Sequence, residues 1–467
     1  MYAEHALEVW EKGGPPTDRL LPYTSGCAMP IRAPVVTPIA RALQQAKSEI
    51  DLYYEEGRWD DYKKITNPYE YIFLSWNRRS SKSVATRQPL SRSYFKMIEL
   101  WRRLDLNSSL ASLAAGGLRT AHAAEGPGGF IEACTEMTRR NGWRLSASHA
   151  ITLQSEAKNV PGWRKAVTFL EMFPQIVVHN GADGTGNILR ADNQNAFVES
   201  VGAGAHLYTA DGGFDFSSDY NAQEDSIFPL LLAETVIGLK VLARGGCLII
   251  KCFDTNEQPT RDLIWLTTQA FATWGVIKPR TSRAGNAERY IVGKGFLGRT
   301  EVGDIITILE NYQHAGAFAN PILAETIQSS ESYKAIMRKL FELQENIERV
   351  EIGVINETLG LIKHTDVTQI KTLVRANVER SIVWCTEHEE PISSQWITEL
   401  DRNVMRETSE LQHILNPGNV LTYSGWNPRI SSSNLLFTGF RTDAGMAPPS
   451  QNPFMRLKSA GGAGARA

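Results

Sequence analysis

Cysteine is scarce: five in 467 residues, at positions 27, 134, 247, 252 and 385, with no CxxC pair. That argues against a disulfide framework and a zinc ribbon, and it fits a reducing, intracellular compartment, here read as cytoplasmic. Charge of one sign is also missing. Forty-nine Lys and Arg face 51 Asp and Glu, a formal charge of −2. A wholesale basic coat is excluded, although a local basic patch is not. No stretch of 18 uncharged apolar residues occurs, so no membrane-spanning helix is expected. The start, MYAEHALEVWEKGG, lacks the basic opening and apolar run of a signal peptide. No metal-ligand cluster and no internal repeat is evident. What remains, 42% hydrophobic and 21% charged residues, describes an ordinary globular protein of more than one domain's length.

From about residue 119 short apolar runs alternate with helical stretches, the pattern of a doubly wound α/β sheet. Strands are expected at 119–125, 145–153, 174–180, 205–211, 245–253, 276–281 and 288–295, and helices near 39–57, 129–140 and 258–273. The run SIFPLLLAETVIGLKVLARGG reads as a buried helix stopped by Gly245-Gly246. Residues 14–38 are rich in proline and read as an extended arm. Beyond Phe296 two helical stripes follow: Ile336, Leu340, Leu343, Ile347, Val350, then Ile370, Val374, Val378, Ile382. These stripes are expected to pack on one another. The expected organisation is an N-terminal arm and helix (1–60), an α/β domain (61–298), a helical module (299–440) and a disordered tail rich in Gly, Ala and Pro (441–467).

Five segments carry chemistry. AEGPGGF (124–130) sits between a strand and a helix, where glycines admit a ligand to the main chain and the helix start can receive an anion. Its spacing is not GxGxxG, and it has no P-loop lysine. TADGGFDFS (209–217) puts Asp211 at a strand end, either facing the crevice of an open sheet or capping the next helix. CLIIKCF (247–253) ends an apolar strand in Lys251, which needs a partner unless it snorkels out. NAERYIVGKGF (286–296) opens with Glu288, and SRSYFKMIEL (91–100) carries Lys96 on a short helix. Alone, these last two read as surface residues.

The order Lys96, Asp211, Lys251, Glu288 in these contexts resembles the Lys-Asp-Lys-Glu tetrad of FtsJ-like ribose 2′-O-methyltransferases. All five motifs occur in the family's order, over roughly residues 60–297. The segments 181–197 (GADGTGNILRADNQNAF) and 278–290 (KPRTSRAGNAERY) resemble those of the mRNA cap branch. NPYEYI (67–72) with the helical extension resembles proteins of large DNA viruses. The resemblance implies a class I, Rossmann-like sheet of about seven strands and S-adenosyl-L-methionine as cofactor. Glu125, Gly126, Pro127, Gly128, Gly129, Phe130, Thr152, Asp183, Asn187 and Asp211 would contact it. Asn187 stands where the cap enzymes usually carry Asp; an amide oxygen can still accept from an adenine amine. The second strand, ending SHAITLQ, lacks the acidic residue many class I methyltransferases place on the ribose.

The same resemblance assigns Lys251 as base, with Asp211, Glu288 and Lys96 orienting donor, lysine and hydroxyl. Burial and the charge of Lys96 are expected to lower the pKa of Lys251, with Asp211 and Glu288 pulling the other way. No metal is required. Residues 76–103 hold eight basic residues and one acidic residue, a patch suited to RNA phosphates; Arg78, Arg79, Lys82, Arg87 and Arg92 are its leading members, joined by Arg283. Trp76, Tyr69 and Tyr71 are available to stack on a methylated guanine cap, though aromatics so spaced are more often core. The implied partner is capped RNA, with other capping enzymes as docking partners. The rivals are a ribosomal or transfer RNA 2′-O-methyltransferase, a non-catalytic RNA-binding subunit of a capping complex, and a nucleotide-dependent oxidoreductase, the last disfavoured by the GPGG spacing.

Overall fold

The computed structural model describes residues 8–12, 37–54, 58–74, 83–157, 160–213, 223–364 and 366–415. The strands are β1 (Glu8–Lys12), β2 (Leu118–Ala123), β3 (Leu145–Ile151), β4 (Ile176–His179), β5 (Ala205–Ala210), β6 (Leu242–Cys252), β7 (Phe271–Ile277) and β8 (Arg289–Phe296). Helices α1 (Pro38–Tyr54), α2 (Arg58–Thr66), α3 (Ser93–Arg103) and α4 (Leu106–Ala114) precede β2. Between the strands lie α5 (Gly129–Arg140), α6 (Val167–Met172), α7 (Ala191–Val201), α8 (Gln223–Val241) and α9 (Gln258–Thr268). After β8 come α10 (Gly303–Ala315), α11 (Glu325–Gln328), α12 (Glu331–Lys363), α13 (Val367–Glu387), α14 (Ser394–Thr398) and α15 (Leu400–Leu415).

The strands form one sheet in the order β1-β7-β8-β6-β5-β2-β3-β4. Strands β2 to β6 pair in parallel, whereas β8 runs antiparallel between β6 and β7. This is the class I, Rossmann-like arrangement of seven strands, extended at one edge by β1, which sequence reading did not anticipate. The chain winds outward from β2 in one direction and from β5 in the other. The switch opens a crevice at the carboxyl ends of these neighbours, where open α/β sheets receive ligands. Ala123 pairs with Ala210, so the turn at 124–130 and Asp211 leave the sheet side by side.

The core is built as parallel sheets require, with apolar strands covered on both faces. Leu207, Tyr208, Leu248, Ile249 and Ile250 are buried, and α8 covers one face with Leu231, Leu232, Val236 and Ile237. Each large side chain so enclosed contributes roughly 1.5–3 kcal/mol by leaving water. The cysteines at 134, 247, 252 and 385 are free and buried. No helix among the described residues is long and apolar enough to cross a membrane.

Three expectations are corrected. Helix α9 ends at Thr268, and the strand expected at 276–281 is β7, Phe271–Ile277; the apolar text from 263 to 277 fits helix and strand alike, so periodicity misplaced the boundary. Helix α8 passes straight into β6 at Leu242, so Gly245-Gly246 is not its stop. The glycines lie where the β5–β6 register shifts, Gly245 at φ +84° and Gly246 with backbone oxygens of Ala243 and His206 within 3.0 Å of where a Cβ would be. Finally, the two C-terminal stripes pack largely on the rest of the protein. Helix α12 lies against α1 and α2, and α13 against α2, α15 and residues 70–72. Met337, Leu340, Leu343 and Ile347 join the core around α8 and α9, while Ile355, Leu359 and Ile362 join that of α1 to α4. The arm at 14–36 and the residues beyond 415 lie outside the described residues.

Candidate active site

The turn after β2 depends on residues that admit close approach. Gly128 caps α5 at φ +107°. A Cβ on Gly129 would lie 2.3 Å from Ser91 Oγ and Ser93 Oγ, so the glycine lets the start of α3 rest on the start of α5. Gly126 faces the carbonyl of Gly162, and its amide donates to Thr152 Oγ1 at 3.3 Å. Pro127 is partly exposed on the turn. Glu125 points into the sheet, accepting from the Thr209 hydroxyl and lying 3.2 Å from His122 Nδ1; burial raises its carboxyl above the ordinary value, against His122. Phe130 is fully buried and stacks on the Tyr290 ring, with centroids 5.7 Å apart. The structure thus gives Glu125 and Phe130 supporting positions beneath the turn.

A second turn closes the crevice from β4. Asp183 Oδ1 accepts from the Thr185 amide (2.9 Å), the Thr185 hydroxyl (2.7 Å) and Asn193 Nδ2 (2.9 Å), and Oδ2 lies 2.8 Å from Arg190. These donors hold the exposed Asp183 carboxyl down at about 2. Asn187 Oδ1 accepts from the Leu189 amide. Buried Asn193 ties the turn together, donating also to the Asn187 carbonyl and accepting from the Asp183 amide. Asn193 has no signal in the sequence, because a helical asparagine is silent until its turn is folded.

Lys96, Asp211, Lys251 and Glu288 come together from four parts of the chain. Lys96 Nζ lies 2.7 and 2.8 Å from the two carboxylate oxygens of Glu288. Lys251 Nζ donates to the Asp211 carbonyl at 2.8 Å and lies 3.2 Å from Asp211 Oδ1. Tyr290, opposite Lys251 in the β6–β8 register, joins the two pairs. Its hydroxyl donates to Asp211 Oδ1 at 2.9 Å and lies 3.3 Å from Glu288 Oε1. Tyr290 is thus a site residue that sequence reading missed. A tyrosine in an apolar strand reads as core, and only the register reveals where its hydroxyl ends.

The electrostatics depart from expectation. Burial does push the Lys251 ammonium toward the free amine, but Asp211, Glu288 and Glu234 outweigh it, and its pKa is raised. The charge of Lys96 is spent on Glu288. Burial likewise opposes ionisation of Glu288, yet Lys96, Lys251 and Lys278 hold its carboxyl far below the ordinary range. Lys251 therefore rests as an ammonium between carboxylates.

The crevice has the chemistry to hold S-adenosyl-L-methionine. The opening turn of α5 presents main-chain amides, Thr152 and the 183–187 turn line the side, and Asp211 supplies negative charge. Beside Gly128, the buried Trp163 Nε1 has no hydrogen-bond partner among the described residues. Among the described residues no group of three His, Cys, Asp or Glu is placed to hold a metal ion.

The basic residues are placed differently from a loose patch. Arg78, Arg79, Lys82 and Trp76 lie outside the described residues. Arg87 pairs with Glu136 (3.1 Å) and Glu390 (3.2 Å). Arg92 and Arg283 both grip the fully buried Glu70, at 2.9 and 2.8 Å. Tyr71 is core, packed edge-on to Trp396, while Tyr69 is partly buried beneath Arg280.

Residues 89–296 match the profile of the FtsJ-like methyltransferase family. Among curated proteins, the chain is 33% identical over 218 residues to cap-specific mRNA (nucleoside-2′-O-)-methyltransferase 1 of Leishmania braziliensis, covering 44% of this chain and 53% of that one. It is 31% identical over 252 residues to the protein of that name from Trypanosoma cruzi (strain CL Brener), covering 53% and 65%. The Dictyostelium discoideum protein of that name is 28% identical over 321 residues, 65% of this chain and 40% of the other. The match thus spans between 40% and 65% of these relatives' length.

Proposed function

Residues 89–296 are an FtsJ-like methyltransferase domain, and from that premise we propose that the chain methylates a ribose 2′-hydroxyl in RNA, at a nucleotide next to the 5′ cap of mRNA. The observation that carries this reading is the convergence of Lys96, Asp211, Lys251 and Glu288 around Tyr290, at the switch crevice. The relatives' names favour capped mRNA over ribosomal or transfer RNA.

S-adenosyl-L-methionine supplies a methyl group on a positively charged sulphur, already activated for transfer. The residues to hold it are the amides at Gly128–Phe130, Thr152, the turn at Asp183–Asn187, and Asp211. Lys251 receives the proton of the 2′-hydroxyl once it has lost its own. Asp211 and Glu288 keep it charged at rest, and it is drawn toward the free amine when positive charge enters the crevice. Lys96 is fixed by Glu288 and directs an N–H toward the hydroxyl oxygen. Alignment supplies several kcal/mol of the barrier reduction.

Charge at the mouth is organised by Glu70, which presents Arg92 and Arg283 as a pair beside the tetrad and offers a fork for RNA phosphate. Incubation of the protein with labelled S-adenosyl-L-methionine and capped, uncapped and structured RNAs tests the substrate. Label in capped RNA alone is expected. Equal labelling of uncapped RNA, or labelling of structured RNA only, would transfer the assignment to a ribosomal or transfer RNA enzyme. No labelling with retained RNA binding would make the chain a binding subunit.

A further inference from the structure

A third lysine, outside the tetrad, lies directly behind Glu288. Lys278 follows β7 and is 3% exposed. Its Nζ donates to Asn286 O (2.7 Å), Asn286 Oδ1 (2.9 Å) and Glu288 O (2.9 Å). An ammonium has three protons, and here each meets an uncharged oxygen. Asn286 Oδ1 also accepts from the Glu288 amide at 3.2 Å and from the Ser282 hydroxyl at 3.2 Å. The amide and the carbonyl of Glu288 are therefore both held by one lysine–asparagine clamp.

Glu288 needs such a clamp because it precedes β8, which begins at Arg289, and so lies just outside the sheet ladder. Its carboxylate must nevertheless meet Lys96 with both oxygens and Tyr290 with one. A backbone rotation at Glu288 would break those contacts together. We propose that Lys278 is a positioning residue, fixing the main chain of Glu288 so that its carboxylate locks Lys96 and Tyr290 in register with Lys251. This rests on the methyl-transfer reading above and assigns Lys278 no contact with substrate.

The charges around Lys278 are the Glu288 carboxylate with Lys96 from α3 beyond it, Arg289 on β8, Glu351 on α12 with its partner Lys47 from α1, and Asp254 after β6. Arg103 of α3 donates to the Lys278 carbonyl. Burial draws the Lys278 ammonium down to about 7, with Glu288 and Glu351 resisting. Above that pH two protons serve three acceptors, the clamp loosens, and positive potential behind Glu288 is lost. The rise in turnover expected as Lys251 loses its proton should therefore flatten into an alkaline limb as pH passes through about 7.

The test is kcat and KM of the full chain on capped RNA from pH 6 to 9 for wild type, Lys278→Met and Lys278→Arg. Lys278→Met should lower kcat about tenfold with KM for both substrates within about threefold, because misplacement rather than binding is affected. Lys278→Arg, which does not titrate, should retain more turnover and lose the alkaline limb. If Lys278→Met does not fold, Asn286→Ala decides, with the same fall in kcat expected. Wild-type kcat in Lys278→Met or Asn286→Ala, or an unchanged alkaline limb in Lys278→Arg, overturns the proposal. Absence of methyl transfer by the wild type instead refutes the functional reading itself.

Discussion

Lys251→Ala should abolish methyl transfer, by about 10²–10⁴-fold if Lys251 is the base, while leaving S-adenosyl-L-methionine binding within a small factor of wild type. Lys251 is the only described lysine in contact with Asp211 at the crevice, 3.2 Å from its carboxylate. The protein should stay folded: loss of the ammonium leaves Asp211 with the Tyr290 hydroxyl at 2.9 Å. Because Asp211 and Glu288 raise the Lys251 pKa against burial, the lysine supports the fold at and below neutrality and loses that contribution only above its ordinary value of 10.5. Turnover, which needs the free amine, should conversely climb with pH on the acid side. Isothermal titration with the cofactor and a single-turnover assay separate the two readouts. Retained turnover in Lys251→Ala would remove it from the role.

Glu288→Gln should damage both stability and activity. It takes a full negative charge from between Lys96, Lys251 and Lys278. Lys96 is only 9% exposed, so breaking this pair strands a buried ammonium, a loss of about 3–5 kcal/mol when a buried ion pair loses one partner. Wild-type Glu288, its pKa lowered, stabilises the fold above its ordinary 4.5 and ceases to as pH falls below that value toward the lowered one. The variant's deficit should therefore be full at neutral pH and shrink in acid. Urea unfolding at pH 7 and pH 3 measures it. Tyr290→Phe is the control, since it removes one hydroxyl and leaves the Lys96–Glu288 pair intact. A Glu288→Gln protein as stable as wild type at pH 7 would mean that the pair is solvated.

Much of this was legible in the chain because local patterns carry it. Helix α5 falls where expected, at 129–140, since glycines mark its start and an apolar stripe its length. Lys96 and Glu288 were recognisable only by motif order, because a lone lysine and a lone glutamate carry no burial signal. What escaped depends on distant partners. Arg87 and Glu390 are 303 residues apart, and Arg283 and Glu70 are 213 apart, so their pairing has no local trace. The position of the Tyr290 hydroxyl follows from antiparallel register. Glu234, 1% exposed in the largely apolar middle of α8 beside Gly212, likewise has no local signal. The pKa of Lys251 goes up rather than down because Asp211 and Glu288, set against burial from the start, outweigh it once Glu234 adds its charge and Lys96 is paired with Glu288.

The most direct test compares two capped RNAs that differ only at the cap-proximal riboses, one with 2′-hydroxyls and one with 2′-hydrogens. With labelled S-adenosyl-L-methionine, the hydroxyl-bearing RNA should take up label that survives alkaline hydrolysis in a resistant dinucleotide, and the deoxy form should take up none. Equal labelling of both would place the methyl on a base or on the cap, and would contradict a site built to act on a ribose oxygen.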